Sequence, residues 1–113
     1  MATLFTKIIR REIPAKIVYE NDKVLAFEDI NPQAPHHVLI VPKVEIPTIN
    51  DLTPENAHVV GELFLAAREL AKSWGVAESG YRVVMNCNAE GGQTVFHLHL
   101  HLLAGRTMHW PPG

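Results

Sequence analysis

The 113-residue chain holds a single cysteine, Cys87, so it cannot close an internal disulfide. Small secreted domains usually carry paired cysteines, and one alone points to a reducing, cytoplasmic setting. Long apolar runs are missing too. The opening stretch from Met1 to Ala15 is interrupted by Lys7, Arg10, Arg11 and Glu12, unlike a secretion signal or a membrane span, so no membrane partner is expected. Charge of one sign is also lacking: ten basic against twelve acidic residues leave a net charge of -2. That balance lacks the basic excess by which DNA- or RNA-binding proteins grip phosphates, while small nucleotides stay open as ligands. No internal repeat or low-complexity segment is visible. The hydrophobic share of 47% excludes disorder. A chain of this length forms one domain, residues 1–113, and buries roughly two-thirds of its unfolded surface, enough to need no structural metal.

Apolar spacing and punctuation outline the elements. Leu4, Phe5, Ile8 and Ile9 fall on one helical stripe behind a possible cap at Thr3. Ile17 to Glu20 and Val24 to Asp29 read as two strands joined by Asn21-Asp22-Lys23, and Val38 to Val41 as a third after the broken segment Asn31-Pro32-Gln33-Ala34-Pro35. Thr53-Pro54-Glu55 has the order of a helix start, and Val59, Leu63, Ala66 or Ala67, Leu70 and Trp74 continue the helical period until Gly75. Tyr81 to Met85 reads as a strand, Asn86 to Gln93 as a polar loop, and Thr94 to Leu103 as the last strand. Five strands with short connections, one long helix and one short helix give an α+β domain built on an antiparallel sheet.

Three of the seven histidines, His97, His99 and His101, occupy alternate positions of that last strand, with Phe96, Leu98, Leu100 and Leu102 on the other face. An ordinary surface strand would carry Thr, Lys or Glu there. Zinc is one candidate explanation. At roughly 3.3 Å per residue, however, the outer two histidines start about 13 Å apart, too far for one tetrahedral ion to take all three, and further ligands would have to come from His36, His37 or Asp29. A second candidate is nucleophilic catalysis at phosphorus, in which one imidazole attacks and its neighbours orient it and supply protons. A third is three half-buried strand residues with satisfied nitrogens. The preceding segment, Asn86 to Thr94, offers backbone amides, an amide side chain and a hydroxyl. Coupled to the histidine row it reads as a phosphate cradle.

The run His97-Leu98-His99-Leu100-His101-Leu102-Leu103 resembles the signature of the histidine-triad (HIT) family, three histidines alternating with apolar residues. Nearly the whole chain is similar to the Hint branch, the nucleoside phosphoramidases. The resemblance runs through Ile8 to Lys16, Ala26-Phe27 with Asp29-Ile30, Pro32 to Pro35, Gly91 to Val95 and the ending Met108-His109-Trp110-Pro111-Pro112-Gly113. It implies a HIT-like fold whose sheet continues across a homodimer, with residues 105–113 forming a tail that reaches the partner's site and Trp110 setting specificity there.

The implied activity is hydrolysis of the P-N bond of purine nucleoside phosphoramidates through a nucleotidyl-histidine, with no metal or other cofactor. By resemblance His99 is the nucleophile and His97 orients it. His101, Thr94, Asn86, Gly92 and Gln93 meet the phosphate or leaving-group end, and His37 extends the network toward His97. Asp29 takes the ribose hydroxyls, while Phe5, Phe27, Ile30 and Leu39 line the base slot for adenosine or guanosine monophosphates. Core packing is the plain alternative for Phe5 and Phe27. His36 is an additional histidine, Thr94 stands where relatives often have serine, and Cys87 reads as a bystander. A purine nucleotide-binding or scaffolding module with little turnover is the contrasting function.

Overall fold

The structure is a computed structural model that describes residues 2–113. Its elements run α1 (Leu4–Ile9), β1 (Ile17–Glu20), β2 (Val24–Glu28), β3 (His36–Pro42), a 3-10 turn (Ile49–Asp51), α2 (His58–Ser73), β4 (Tyr81–Val84), α3 (Asn88–Gly91) and β5 (Leu100–Ala104). The strands form one antiparallel sheet in the order β1-β2-β3-β5-β4, the α+β architecture expected. Among the described residues no helix is long and apolar enough to cross a membrane.

Both faces of the sheet are covered. On one, Val24, Ala26, Val38, Ile40, Leu100 and Leu102 pack against Leu63, Ala66, Ala67 and Leu70 of α2. On the other, Leu25, Phe27, Leu39 and Val41 pack against Phe5 and Ile8 of α1. This two-sided burial is why β2 and β3 are almost continuously apolar rather than alternating. Helix α1 has only six residues, too few to persist alone. It is held by its buried face and by a reciprocal cap, in which the Thr6 amide donates to the Thr3 hydroxyl and the Thr3 amide donates to the Thr6 hydroxyl. The β1–β2 hairpin closes on Asn21, whose side-chain oxygen accepts from the amides of Lys23 and Val24.

Several strand ends shift by one or two residues, and three segments differ by more. The Thr53-Pro54-Glu55 signal closes a turn, with Thr53 and Asn56 exchanging backbone-to-side-chain bonds. Three-residue bonds from Val59 to Asn56 and from Val60 to Ala57 follow, so the regular helix starts only at His58. The Asn86–Gln93 loop contains the one-turn helix α3, which ends on Gly92 at φ +87. The last strand is shorter than Thr94–Leu103 and begins at Leu100. Pro42 has no amide with which to continue the β3–β5 ladder, and the Leu98 amide donates instead to Ile46 at 2.7 Å. His97 and His99 therefore precede the strand, and Phe96, which alternation sets on the leucine face, is exposed.

Gly105 leaves β5 at φ +98, and a Cβ there would meet the Pro35 ring carbon Cβ at 2.9 Å. Gly105→Ala is expected to lower stability by about 1–3 kcal/mol, through positive-φ strain and this clash, when wild type and variant are compared by urea denaturation.

Candidate active site

Strand register builds the first half of the site. Phe27 pairs with Leu39 and Leu39 with His101, so the three lie in a row across one sheet face. His37 pairs with Leu103, which sets it diagonal to His101 on that same face. Their rings meet: His37 Nε2 lies 2.9 Å from His101 Nδ1. The Gln33 amide donates to His37 Nδ1 at 3.0 Å, which makes Nδ1 the acceptor and leaves the proton of the neutral ring on Nε2. That proton points at His101 Nδ1, and a carboxylate oxygen of Asp29 lies 3.5 Å from the same Nε2. His101 Nδ1 is then the acceptor, and its own proton sits on Nε2. The expectation that His37 reaches toward His97 is corrected: its partner is His101, because register rather than chain proximity decides the contact.

The second half is held by main-chain carbonyls. His97 is wholly buried, and its Nε2 donates to the Pro42 carbonyl at 2.7 Å. Its Nδ1 is buried with no hydrogen-bond partner among the described residues. His99 Nδ1 lies 2.8 Å from the His97 carbonyl. A carbonyl can only accept, so Nδ1 carries the proton and the Nε2 lone pair of His99 is left available for attack. His97 thus orients His99 through its backbone, not through its imidazole. Phe5 stands edge-on to the His99 ring at 4.9 Å and contacts His97 and Phe27 as well. It is both a core residue and a wall of the site.

Burial keeps the cluster neutral. Desolvation lowers the proton affinity of His37, only partly offset by Asp29. It lowers that of His97 against the Pro42 bond and the charge of Glu45. For His99 desolvation is reinforced by His97 and opposed by the His97 carbonyl and Asp29. His101 is pushed down to about 4, by burial first and then by His99 and His37, with Asp29 opposing.

The five residues expected at the nucleoside end converge. Phe5, Phe27, Asp29, Ile30 and Leu39 line one cleft of about 320 Å³ beside the histidines. Its inner walls are buried, while Ile30 is fully exposed at the mouth. Asp29 is fixed by the Asn31 amide, which donates to its Oδ1 at 2.8 Å.

The glycine loop is divided. Gly91 and Gly92 pack against Asn86, and Thr94 is exposed beside them. Gln93 is buried and its amide side chain is committed to the fold. Its Nε2 donates to the carbonyls of Pro47 and Val95, and its Oε1 accepts from the Asn88 amide. Gln93 therefore shapes the loop from within. Trp110 is 83% exposed, and its tail is tied to the sheet edge where Arg82 donates to the His109 carbonyl at 2.9 Å. One nitrogen or oxygen from each of Asp29, His37 and His101 falls within 4.8 Å. The 2.9 Å between the two imidazole nitrogens is shorter than the about 3.3 Å that tetrahedral zinc bonds would impose, and is the length of a hydrogen bond.

Sequence reasoning missed the groups that set the tautomers, namely the Gln33 amide and the carbonyls of Pro42 and His97. All are backbone atoms, which residue identity does not reveal. The prolines flanking Gln33 marked the turn but not its bond.

A small α+β protein with a neutral, hydrogen-bond-directed histidine cluster beside an apolar cleft is a class suited to nucleophilic and acid–base chemistry. Residues 10–108 match the HIT domain, and the chain belongs to the histidine-triad family. It is 57% identical to a HIT-like protein of Synechocystis sp., over 98% of this chain and 96% of that one. It is 53% identical to a purine nucleoside phosphoramidase of Escherichia coli, over 94% of this chain and 89% of the relative. Among solved structures, a HIT family hydrolase from Legionella pneumophila superposes with a TM-score of 0.96 at 51% identity, covering 99% of this chain and 100% of that one.

All four histidines take up protons less readily folded than unfolded, so the unfolded chain gains protons first as pH falls. Their contribution to stability is complete above the ordinary value near 6.5 and is lost as pH falls below it, for His101 down to about 4. The urea midpoint is expected to be level at and above pH 7 and to fall steadily from about pH 6.5 toward 4. A level midpoint across that window would contradict a neutral buried cluster.

Proposed function

We propose that this protein hydrolyses the P-N bond of purine nucleoside 5′-phosphoramidates. The reading rests on the paired tautomers of His99 and His101, one with a bare Nε2 and the other with a protonated Nε2. The His99 Nε2 lone pair attacks phosphorus, which makes the His99 ring a cation, and the bond to the amine breaks as His101 Nε2 passes its proton to the leaving nitrogen, the negative charge left on His101 being balanced by the cationic His99 ring 5.2 Å away. A neutral amine departs and the nucleoside monophosphate stays on His99. Water, giving a proton back to His101, then releases the monophosphate and restores His99.

The cleft beside His99 suits the nucleoside. Asp29 offers a carboxylate to two ribose hydroxyls, and the apolar walls formed by Phe5, Phe27, Ile30 and Leu39 accept either purine face. Asn86, Gly92 and Thr94 would meet the phosphate, and Gln93 holds their loop in shape. The name of the Escherichia coli relative favours the same substrate class. No step requires a metal, and the lone Cys87 suits a cytoplasmic setting. His99→Asn should lower turnover of an adenosine 5′-phosphoramidate by at least about 10³-fold while AMP still binds. Near-normal turnover would sink the mechanism, and wild-type AMP binding without any turnover would favour a nucleotide-binding module.

The working unit we infer is a homodimer. Support comes from β4, a sheet edge with no outer neighbour among the described strands, and from exposed Phe64, Leu65 and Tyr81 on α2 and β4. The exposed Trp110 at the end of the tail would meet the partner's leaving-group end. Light scattering should give the mass of two chains. Trp110→Ala should leave that mass unchanged and alter the rank order of amine leaving groups in a panel of phosphoramidates.

A further inference from the structure

We propose that Arg106, outside the histidine cluster, is a positioning residue: through the backbone of Gln33 it holds His37 in the tautomer that keeps His101 a proton donor. The inference deepens the phosphoramidase reading and, for its kinetic part, rests on it.

The path is a chain of hydrogen bonds. Arg106 Nε donates to the Gln33 carbonyl at 2.9 Å. The Gln33 amide donates to His37 Nδ1 at 3.0 Å, and His37 Nε2 faces His101 Nδ1 at 2.9 Å. The turn that carries Gln33 belongs to no helix or strand, and its two prolines, Pro32 and Pro35, remove two amides that could have anchored it. Its own bonds are local, from the Asn31 amide to Asp29 and from the Gln33 side chain to the Asn31 carbonyl. The tie to a distant part of the chain comes from the segment after β5, where Gly105 packs against Pro35 and Arg106 grips Gln33.

Direction is what the grip controls. Were the turn to rotate and present a carbonyl to His37, Nδ1 would have to carry the proton and Nε2 would become an acceptor. The bond to His101 would then reverse, with His101 Nδ1 donating and His101 Nε2 left bare. A bare Nε2 cannot protonate a leaving amine. The other groups facing the pair are Asp29, beside His37 Nε2, and His99, whose ring lies 5.2 Å from that of His101. Asp29 favours a proton on His37 Nε2 and so acts in the same sense as Arg106.

Arg106→Ala, with Arg106→Lys as the variant that keeps a donor, tests this by two readouts. Two-bond proton–nitrogen spectra distinguish bare from protonated imidazole nitrogens, with the His37 signals assigned by their loss in His37→Gln. The wild type should show His37 bare at Nδ1, Arg106→Ala should move a measurable share of it to the Nδ1-protonated form, and Arg106→Lys should stay with the wild type. In turnover, Arg106→Ala should lower kcat about tenfold on an alkylamine phosphoramidate of adenosine, with KM within about twofold. On the p-nitrophenyl ester of AMP, whose leaving group departs without a proton, the loss should shrink to under about twofold. An unchanged His37 pattern in Arg106→Ala, or an equal loss on both substrates, would overturn the proposal. A wild type that turns over neither substrate would remove the phosphoramidase reading while the spectra still decide the tautomer.

Discussion

Everything at the site depends on the hydrogen-bond direction imposed on neutral imidazoles. A neutral ring has one donor and one acceptor, and in a desolvated cluster each choice forces the next. Here the choices are made by main-chain groups. The His97 carbonyl puts the proton of His99 on Nδ1, the Pro42 carbonyl claims the proton of His97, and the Gln33 amide sets His37 and through it His101. Burial is the other half of the same constraint. It lowers the proton affinity of all four rings, so the cluster keeps both a bare nitrogen and a protonated one near neutrality.

The fold supplies those conditions by covering the sheet on both faces. Helix α2 packs one side, which leaves α1 and the histidines to close the other. Phe5 links the two roles, since the same ring that anchors a six-residue helix also stands against His97, His99 and Phe27. Gln93 does comparable service for the glycine loop, spending both ends of its amide on Pro47, Val95 and Asn88. Stability and chemistry therefore share residues. That sharing explains why core packing and site lining were not separable alternatives for Phe5 and Phe27.

Much of the fold was legible in the chain because local signals agreed with one another. The Thr3 cap, the Asn21 hairpin, the α2 stripe and the Gly75 stop all appear where spacing and punctuation put them. Thr53-Pro54-Glu55 misled because a side-chain exchange with Asn56 satisfied the cap in a separate turn. The last strand misled for a tertiary reason. Alternation of His and Leu continues through His97 and Leu98, yet ladder pairing stops where Pro42 has no amide to offer and Ile46 takes the Leu98 amide instead.

The sequence by itself determined the α+β class, the membership of His97, His99 and His101 in one constellation, and the resemblance that nominated Asp29, His37 and the apolar slot. These follow from side-chain identity and period, which are properties of the chain alone. Only the tertiary structure decided that His37 bonds to His101, that the His97 carbonyl meets His99 Nδ1, and that the backbone of Gln33 joins Arg106 to His37. Those facts are made by strand register and backbone atoms, and every residue carries the same amide and carbonyl whatever its name.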